Sequence, residues 1–180
     1  MDEECPLDRQ AVSAEWECVR ADFHRLLSEA SHTDLSRPTD GTRWTNEQLL
    51  FHMLFGYILV RVLLRLVSVF TRMPGATGKR FARLLDAGAQ PFHVVNYVSS
   101  VLGTLYFNRR RMGAKMDRTL CALQRRLDRE DAATLRRGMP YPPRWDPYFQ
   151  AWMTRADLYR YPTQHYDFHR AQLTLGAGHH

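Results

Sequence analysis

Apolar residues recur at helical spacing along most of the chain, and the clearest stripe lies near its beginning. Between Asp8 and Ser31 the apolar positions follow one another at steps of three and four: Val12, Trp16, Val19, Phe23, Leu26 and Ala30. That spacing predicts one face of an amphipathic helix. Residues 32–44 are rich in Thr, Asp, Pro and Gly and have no period, so we expect a connecting loop there.

A second helix is predicted to begin at Thr45. Thr45 and Gln48 have the spacing of a capping box, in which each side chain bonds the backbone N–H of the other residue. From Leu49 to Phe70 the chain is apolar nearly all round, which is typical of a helix that is central in a bundle or packed on a second subunit. We therefore expect a buried helix. A homodimer, in which this helix packs on a second subunit, is as well supported as a monomer.

The same apolar stretch is about as long as a membrane span. His52, Arg61 and Arg65 interrupt it at intervals that a bilayer would penalise. We therefore interpret it as a core helix and expect no membrane association.

The third apolar stripe predicts one long helix. After a break at MPGATGK (residues 73–79) and a short apolar stretch containing Phe81, Leu84 and Leu85, Pro91 is a good first-turn residue. The stripe then continues to Leu127, with bends expected at Gly103 and Gly113.

The end of the chain is predicted to hold two shorter helices. Residues 138–147 contain four prolines and are expected to form an irregular surface connection, whose Tyr141 and Trp145 fold back over one end of the bundle. Thr154 is expected to cap a short helix that ends at Tyr159, and Pro162 to open the last helix. No strand-like alternation of useful length occurs, so the predicted class is all-α, with residues 1–180 as a single domain.

Composition excludes several function classes. The formal net charge is +6, but the paired arginines alternate with acidic residues, as on the solvated face of a long helix, so we expect no nucleic-acid binding. Three scattered cysteines are too few for a disulfide framework, which favours a reducing compartment. The acidic N-terminus has no apolar run of a secretory signal, and we expect the protein in the cytoplasm.

Histidines carry the candidate chemistry. His165 and His169 are four residues apart after a helix start, so both imidazoles lie on one face and can reach a single ion. His52 lies early in the most apolar predicted helix, where a metal would satisfy one of its ring nitrogens. The alternative is a core histidine that bonds a backbone carbonyl, and the spacing alone favours that alternative.

Two stretches resemble the DinB/YfiT-like superfamily. TRWTNEQLLFHM contains a Trp followed by Thr at the start of helix two and then a histidine, and HYDFHRAQL resembles the closing HxxxHRxQ motif of that superfamily. The resemblance implies a four-helix bundle with an up-down-down-up course, here with extra short helices, and a divalent metal at one end. By motif position, the ligands would be His52, His165 and His169.

The resemblance also implies an activity. Relatives carry Zn, Ni or similar ions, and some are thiol-dependent S-transferases or maleylpyruvate isomerases. We expect Zn or Ni here, with Fe or Mn as alternatives, because imidazole suits several of these ions. Three neutral imidazoles would leave the ion its full charge and at least one open position, as in catalytic sites.

Our first hypothesis is therefore a metal-dependent transferase that joins a low-molecular-weight thiol to a small electrophile. The arginine bias, with Lys79 and Lys115 as the only lysines, is typical of a GC-rich genome and favours mycothiol as the thiol. A thiol-independent hydrolase or isomerase, and a non-catalytic protein stabilised by metal, are the alternatives. Candidate substrate-binding residues at the mouth are Trp44, Asn96, Tyr161 and Arg170.

Overall fold

The computed structural model describes the backbone of residues 7–70 and 89–175, and the side chains of these residues except 70 and 89–95. The elements in these ranges are α1 (Arg9–Glu29), α2 (His32–Ser36), α3 (Asn46–Phe70), α4 (Ala89–Tyr106), α5 (Arg109–Leu127), α6 (Ala132–Leu135), β1 (Gly138–Pro140), β2 (Trp152–Thr154) and α7 (Arg155–Arg170). The predicted break at residues 73–79 and the stretch with Phe81, Leu84 and Leu85 lie outside the described residues.

The helices pack as a bundle, which confirms the predicted all-α class in its main feature. α1 contacts α5 and α7, α3 contacts the same two helices, and α4 packs on the outside of α3. The core between them consists of side chains that are all but fully buried: Trp16, Phe23, Leu50, Met53, Leu54, Tyr57, Leu64, Met112, Met116, Leu123 and Tyr159. Because α3 contributes so many of these, it is the central helix that its sequence predicts.

The direction of α7 follows from its contacts along two neighbours. Its Tyr159 packs on Trp16 of α1 and its Tyr166 packs on Phe23, with ring centroids 6.0 and 6.4 Å apart. The earlier residue of α7 thus contacts the earlier residue of α1, and the later residue contacts the later one. On α3 the order is reversed, since Arg155 at the start of α7 bonds Ser68 near the end of α3. α7 is therefore parallel to α1 and antiparallel to α3.

The direction of α5 is found in the same way. Arg126, late in α5, donates to the carbonyl oxygen of Leu64, late in α3, at 3.1 Å. His24, late in α1, bonds Asp117 in the first half of α5 at 2.8 Å. α5 is therefore parallel to α3 and antiparallel to α1.

Several predicted features are present. The predicted face of α1 is buried. The capping box at the start of α3 forms, with the Thr45 N–H donating to Gln48 at 3.1 Å. Thr154 caps α7, and Tyr141 and Trp145 fold back onto the core.

Two predicted boundaries are wrong because of local caps. Residues 32–44 are not all loop: α2 forms there because Ser31 and Asp34 make a capping box, a signal that a search for long periods misses. The predicted single third helix is two helices, since Asn108 leaves the helical conformation and its side chain accepts from the Arg111 N–H, which starts α5. Neither Gly103 nor Gly113 marks the break.

The prediction for the end of the chain is wrong in two ways. α7 is one continuous helix with Pro162 inside it, not two helices. An internal proline costs about 3 kcal/mol, but both Pro162 and its neighbour Tyr161 are buried, and this packing offsets the loss. The chain also forms a two-stranded antiparallel sheet in which Met139 pairs with Met153. Strands of three residues are too short to show an alternating pattern.

α3 is the most apolar of the described helices, and most of it is buried inside the fold. Residues Asn46–Val69 are long and apolar enough, by length and composition, to cross a membrane, yet 61% of the most apolar window is buried inside the fold. On the neighbouring α4, Leu102, Leu105 and Tyr106 are exposed. The homodimer stays a prediction.

Candidate metal centre

The three predicted ligands come together at one end of the bundle. His52 lies in the second turn of α3, and His165 and His169 lie in the last turns of α7. Because α3 and α7 are antiparallel, the beginning of one helix meets the end of the other. One ring nitrogen from each histidine lies within 4.8 Å of the other two, and the Nε2 atoms of His52 and His165 are 3.1 Å apart. All three side chains are buried.

A glycine permits this close approach of the two helices. Gly56 lies one turn after His52, directly against the His165 ring. A Cβ atom at Gly56 would lie 2.7 Å from His165 Nδ1 and 3.1 Å from its Cε1, closer than ordinary packing allows. The absence of a side chain at position 56 therefore determines where His165 lies.

Hydrogen bonds fix which nitrogen of two rings is free. His169 Nδ1 lies 2.7 Å from the Gln172 side-chain oxygen, which only accepts, so Nδ1 carries the proton and Nε2 has the free lone pair. Ser100 donates its hydroxyl proton to the Asn96 carbonyl oxygen at 3.0 Å and faces His52 Nδ1 at 3.4 Å. His52 Nδ1 is then the donor as well, and its Nε2 is free.

Burial keeps the rings neutral. It lowers the pKa of His52 to about 3, with a smaller contribution from the nearby His169. Burial also lowers the pKa of His165 well below its usual value, and that of His169 by less, because Gln172 and Asp146 partly offset it. Neutral imidazoles with free Nε2 atoms are the form that binds metal ions.

The nitrogen positions fit a single ion. Two atoms that each lie about 2.1 Å from one ion are about 3.0 Å apart at a right angle and about 4.2 Å apart when opposite. The Nε2 separation of 3.1 Å between His52 and His165 lies in this range. The largest separation in the cluster, within 4.8 Å, exceeds the range by at most about 0.6 Å, which a small side-chain rotation removes. The cluster could therefore hold a metal ion.

Trp44 forms one wall of the centre. Its ring stacks on His52 with centroids 4.4 Å apart and meets His169 edge-on at 6.2 Å. Tyr97 stacks on the other side of Trp44, also at 6.2 Å. These aromatic rings keep water away from two of the imidazoles and limit their rotation.

The other three predicted substrate residues lie in different surroundings. Tyr161 is buried, its ring is 5.7 Å from that of His165, and its hydroxyl donates to Asp146 at 2.9 Å. Asn96 lines a small pocket beside the cluster. Arg170 points to α1, where it donates to Asp22 at 2.9 Å. The structure thus brings Trp44, Tyr161 and Asn96 near the cluster, whereas Arg170 is held in an ion pair.

The pocket beside the histidines is small. It has a volume of about 20 Å³ and is lined by side chains from α3, α4, α7 and the β1–β2 connection. This volume accommodates about one water molecule. An organic substrate therefore requires neighbouring side chains to move.

Four residues of the centre were not predicted as site residues. Asp146 lies in the proline-rich segment, and its Oδ2 is 3.8 Å from His165 Nε2. Burial raises the pKa of Asp146, against hydrogen bonds from Tyr148 and Tyr161. Only Gln172 has a sequence signal, since it is the last residue of the HxxxHRxQ motif. Ser100, Gly56 and Asp146 have none, because they depend on how separate elements pack.

Comparisons of this chain with models of known protein families, with curated proteins and with solved structures gave no match.

Proposed function

We propose that this protein is a divalent-metal-dependent enzyme that joins a low-molecular-weight thiol of the mycothiol type to a small electrophile. The observation that carries the proposal is the convergence of three buried, neutral imidazoles, those of His52, His165 and His169, at one end of the bundle. Zn or Ni is the expected ion, with Fe or Mn as alternatives. We expect the enzyme to act in the cytoplasm.

Membership of the DinB/YfiT-like superfamily belongs to the same proposal. The parallel pairs α1/α7 and α3/α5, antiparallel to each other, support an up-down-down-up course. Residues of both motifs contact the cluster: Trp44 of the first motif stacks on His52, and Gln172 of the second bonds His169. In each motif, one residue orients a histidine of the cluster.

A divalent ion, when bound, lowers the pKa of a coordinated thiol or water and polarises carbonyl groups. The protein would hold the ion and orient the histidine rings that bind it. Ser100 and Gln172 fix the tautomers of His52 and His169, and Trp44 shields both rings. Three protein ligands leave at least one open position, which is the arrangement of catalytic zinc sites.

A second candidate, a thiol-independent hydrolase or isomerase, is favoured by a specific observation. The pocket accommodates a molecule of water size, and the carboxylate of Asp146 lines it together with His52 and His165. Such a carboxylate can accept a proton from water. The third candidate is a non-catalytic protein in which the ion ties α7 to α3.

Metal content tests the centre itself. We expect one ion per chain in protein purified without an affinity tag, and in the control His24→Ala, which removes an exposed histidine outside the cluster. His52→Ala is expected to lose the ion while circular dichroism still shows a helical protein. Equal metal content in His52→Ala and His24→Ala would contradict the proposed centre.

Turnover tests the chemistry. Metal-loaded protein is mixed with an electrophile, with and without mycothiol or another small thiol. Consumption that needs the thiol and is lost in His52→Ala supports the transferase. Consumption of the electrophile without thiol would contradict the transferase and support the hydrolase or isomerase. Metal-dependent stability without any turnover would support the non-catalytic protein.

A further inference from the structure

Asp146 is brought to the histidine cluster by a segment whose two ends are fixed. The chain from 141 to 151 connects β1 to β2, and the pairing of these strands holds both ends together, helped by a bond from the Tyr141 N–H to the Ala151 carbonyl oxygen at 3.2 Å. Tyr141 is buried in the core. The segment therefore begins and ends at the β1–β2 pair, and Asp146, near its middle, lies against α7.

Both oxygens of the Asp146 carboxylate are oriented. Oδ1 accepts from the Tyr148 N–H at 2.9 Å, and Oδ2 accepts from the Tyr161 hydroxyl at 2.9 Å. The side chain is only 13% exposed. Oδ2 still has a lone pair, and it faces the same Nε2 atom of His165 that lies 3.1 Å from His52 Nε2.

Among the residues that the structure describes, no arginine or lysine forms an ion pair with Asp146, and its one ion-pair contact within 4.0 Å is with His165 Nε2 at 3.8 Å. A buried carboxylate is costly unless it is paired with a cation or coordinates a metal ion. The cluster of His52, His165 and His169 is where such an ion would lie.

We infer that Asp146 is the fourth protein ligand of the ion, so that the centre is a three-histidine, one-carboxylate site. Two ligand atoms that each lie about 2.1 Å from an ion are between about 3.0 and 4.2 Å apart. The separation of 3.8 Å between Asp146 Oδ2 and His165 Nε2 falls in this range. The inference rests on the proposed function, because it requires the ion of that site.

A fourth, anionic ligand changes which ions the centre prefers. Three imidazoles leave a divalent ion its full charge, whereas the carboxylate reduces the net charge by one and adds a hard oxygen ligand. The open position that the proposed reaction requires is then the fifth or sixth position of a five- or six-coordinate ion. Carboxylate oxygen suits Mn, whereas imidazole suits Zn, Ni and Fe. Removal of the carboxylate is therefore expected to weaken Mn²⁺ binding more than Zn²⁺ binding.

The direct test is a crystal structure of the full chain loaded with Zn²⁺ and, separately, with Mn²⁺. We expect three histidine nitrogens and an Asp146 oxygen within about 2.0–2.2 Å of the ion. An ion held by the three histidines with both Asp146 oxygens beyond about 3 Å overturns this inference and leaves the proposed centre intact. A protein that takes up no ion overturns both.

Metal titration of variants gives an independent measure. Asp146→Ala is expected to lower Mn²⁺ affinity by more than about 100-fold, because loss of groups outside the ligand sphere typically costs 10–100-fold. The control Asp128→Asn changes a carboxylate on the exposed end of α5 and should bind as the wild type does. A loss of Mn²⁺ affinity in Asp146→Ala of less than about 100-fold would overturn the inference, because it is what a group outside the ligand sphere costs. Asp146→Asn, which keeps the shape, replaces Asp146→Ala if the latter does not fold.

Discussion

Gly56→Ala is the sharpest perturbation of the centre, because it adds one methyl group at a known distance from a ligand. The new Cβ would lie 2.7 Å from His165 Nδ1, 3.1 Å from Cε1 and 3.4 Å from Cγ. Real Cβ atoms essentially never come within 3.0 Å of a neighbour, so the ring must shift. His165 is 3% exposed and has little room to move.

The effects on stability and on metal binding should separate. Alanine in a helix interior is favoured over glycine by about 1 kcal/mol, whereas overpacking a core typically costs about 1–3 kcal/mol. The free energy of unfolding should therefore fall by no more than about 2 kcal/mol. A shift of the His165 ring separates its Nε2 from that of His52, and misplaced ligands cost affinity, so we expect Zn²⁺ affinity to fall at least about tenfold.

Gly113→Ala is the matched control. Its Cβ would also be crowded, at 2.9 Å from His24 Cε1, but His24 is a half-exposed side chain that can rotate away. It should gain helix propensity without loss of Zn²⁺ binding. The assay is competitive Zn²⁺ titration of both variants, with urea unfolding of the metal-free proteins. Wild-type Zn²⁺ affinity in Gly56→Ala would refute the argument that glycine sets the position of His165.

Two further predictions concern stability. Glu130→Gln should lower the free energy of unfolding in urea by about 3–5 kcal/mol, because it leaves the buried Arg155 without its counter-charge; a loss below about 1 kcal/mol would contradict this. The metal-free protein should lose stability in urea as the pH falls below about 6.5, because burial lowers the pKa of His52 to about 3, so that it protonates only in the unfolded state. His52 alone should remove about 2 kcal/mol at about pH 5, and a His52→Phe variant with the same pH dependence would contradict this.

The sequence predicted the apolar stripe on α1, the capping box at Thr45 and the cap at Thr154, and each is present. It did not predict the local caps at Ser31 and Asn108, because neither interrupts a long apolar period clearly.

The cluster was predicted because two stretches resemble motifs of the DinB/YfiT-like superfamily, since the spacing alone favoured a core histidine at position 52. His165 and His169 share one helix face, and His52 lies in the most apolar helix.

The remaining features depend on packing between elements distant in sequence. Pro162 looks like a helix start, and only the burial of its neighbours makes a continuous α7 favourable. Asp146 follows three prolines in a segment without periodicity, and its position depends on the β1–β2 pairing. Gly56 matters only because α7 approaches α3 there. No local spacing encodes these contacts.

Among the described residues, two buried polar clusters differ in a way that indicates which one is a site. In the first, Arg155 and Glu130 bond each other, and Arg126 and Ser68 bond them in turn, so each charge has a partner of opposite sign or a hydroxyl. Such a cluster is complete without a ligand.

The second cluster, at the histidine end, is incomplete within the part of the chain that the structure describes. His165 Nδ1 is buried with no hydrogen-bond partner, the Nε2 atoms of His52 and His165 face each other, and Asp146 has no guanidinium or ammonium group beside it. Buried polar groups that the protein leaves unsatisfied cost free energy, which a bound ion would recover for the Nε2 atoms and the carboxylate at once. An ion that binds only the folded state stabilises it by about 2.7 kcal/mol when the free ion concentration is 100 times the dissociation constant. Metal removal should therefore lower the melting temperature of the wild type but not that of His52→Ala.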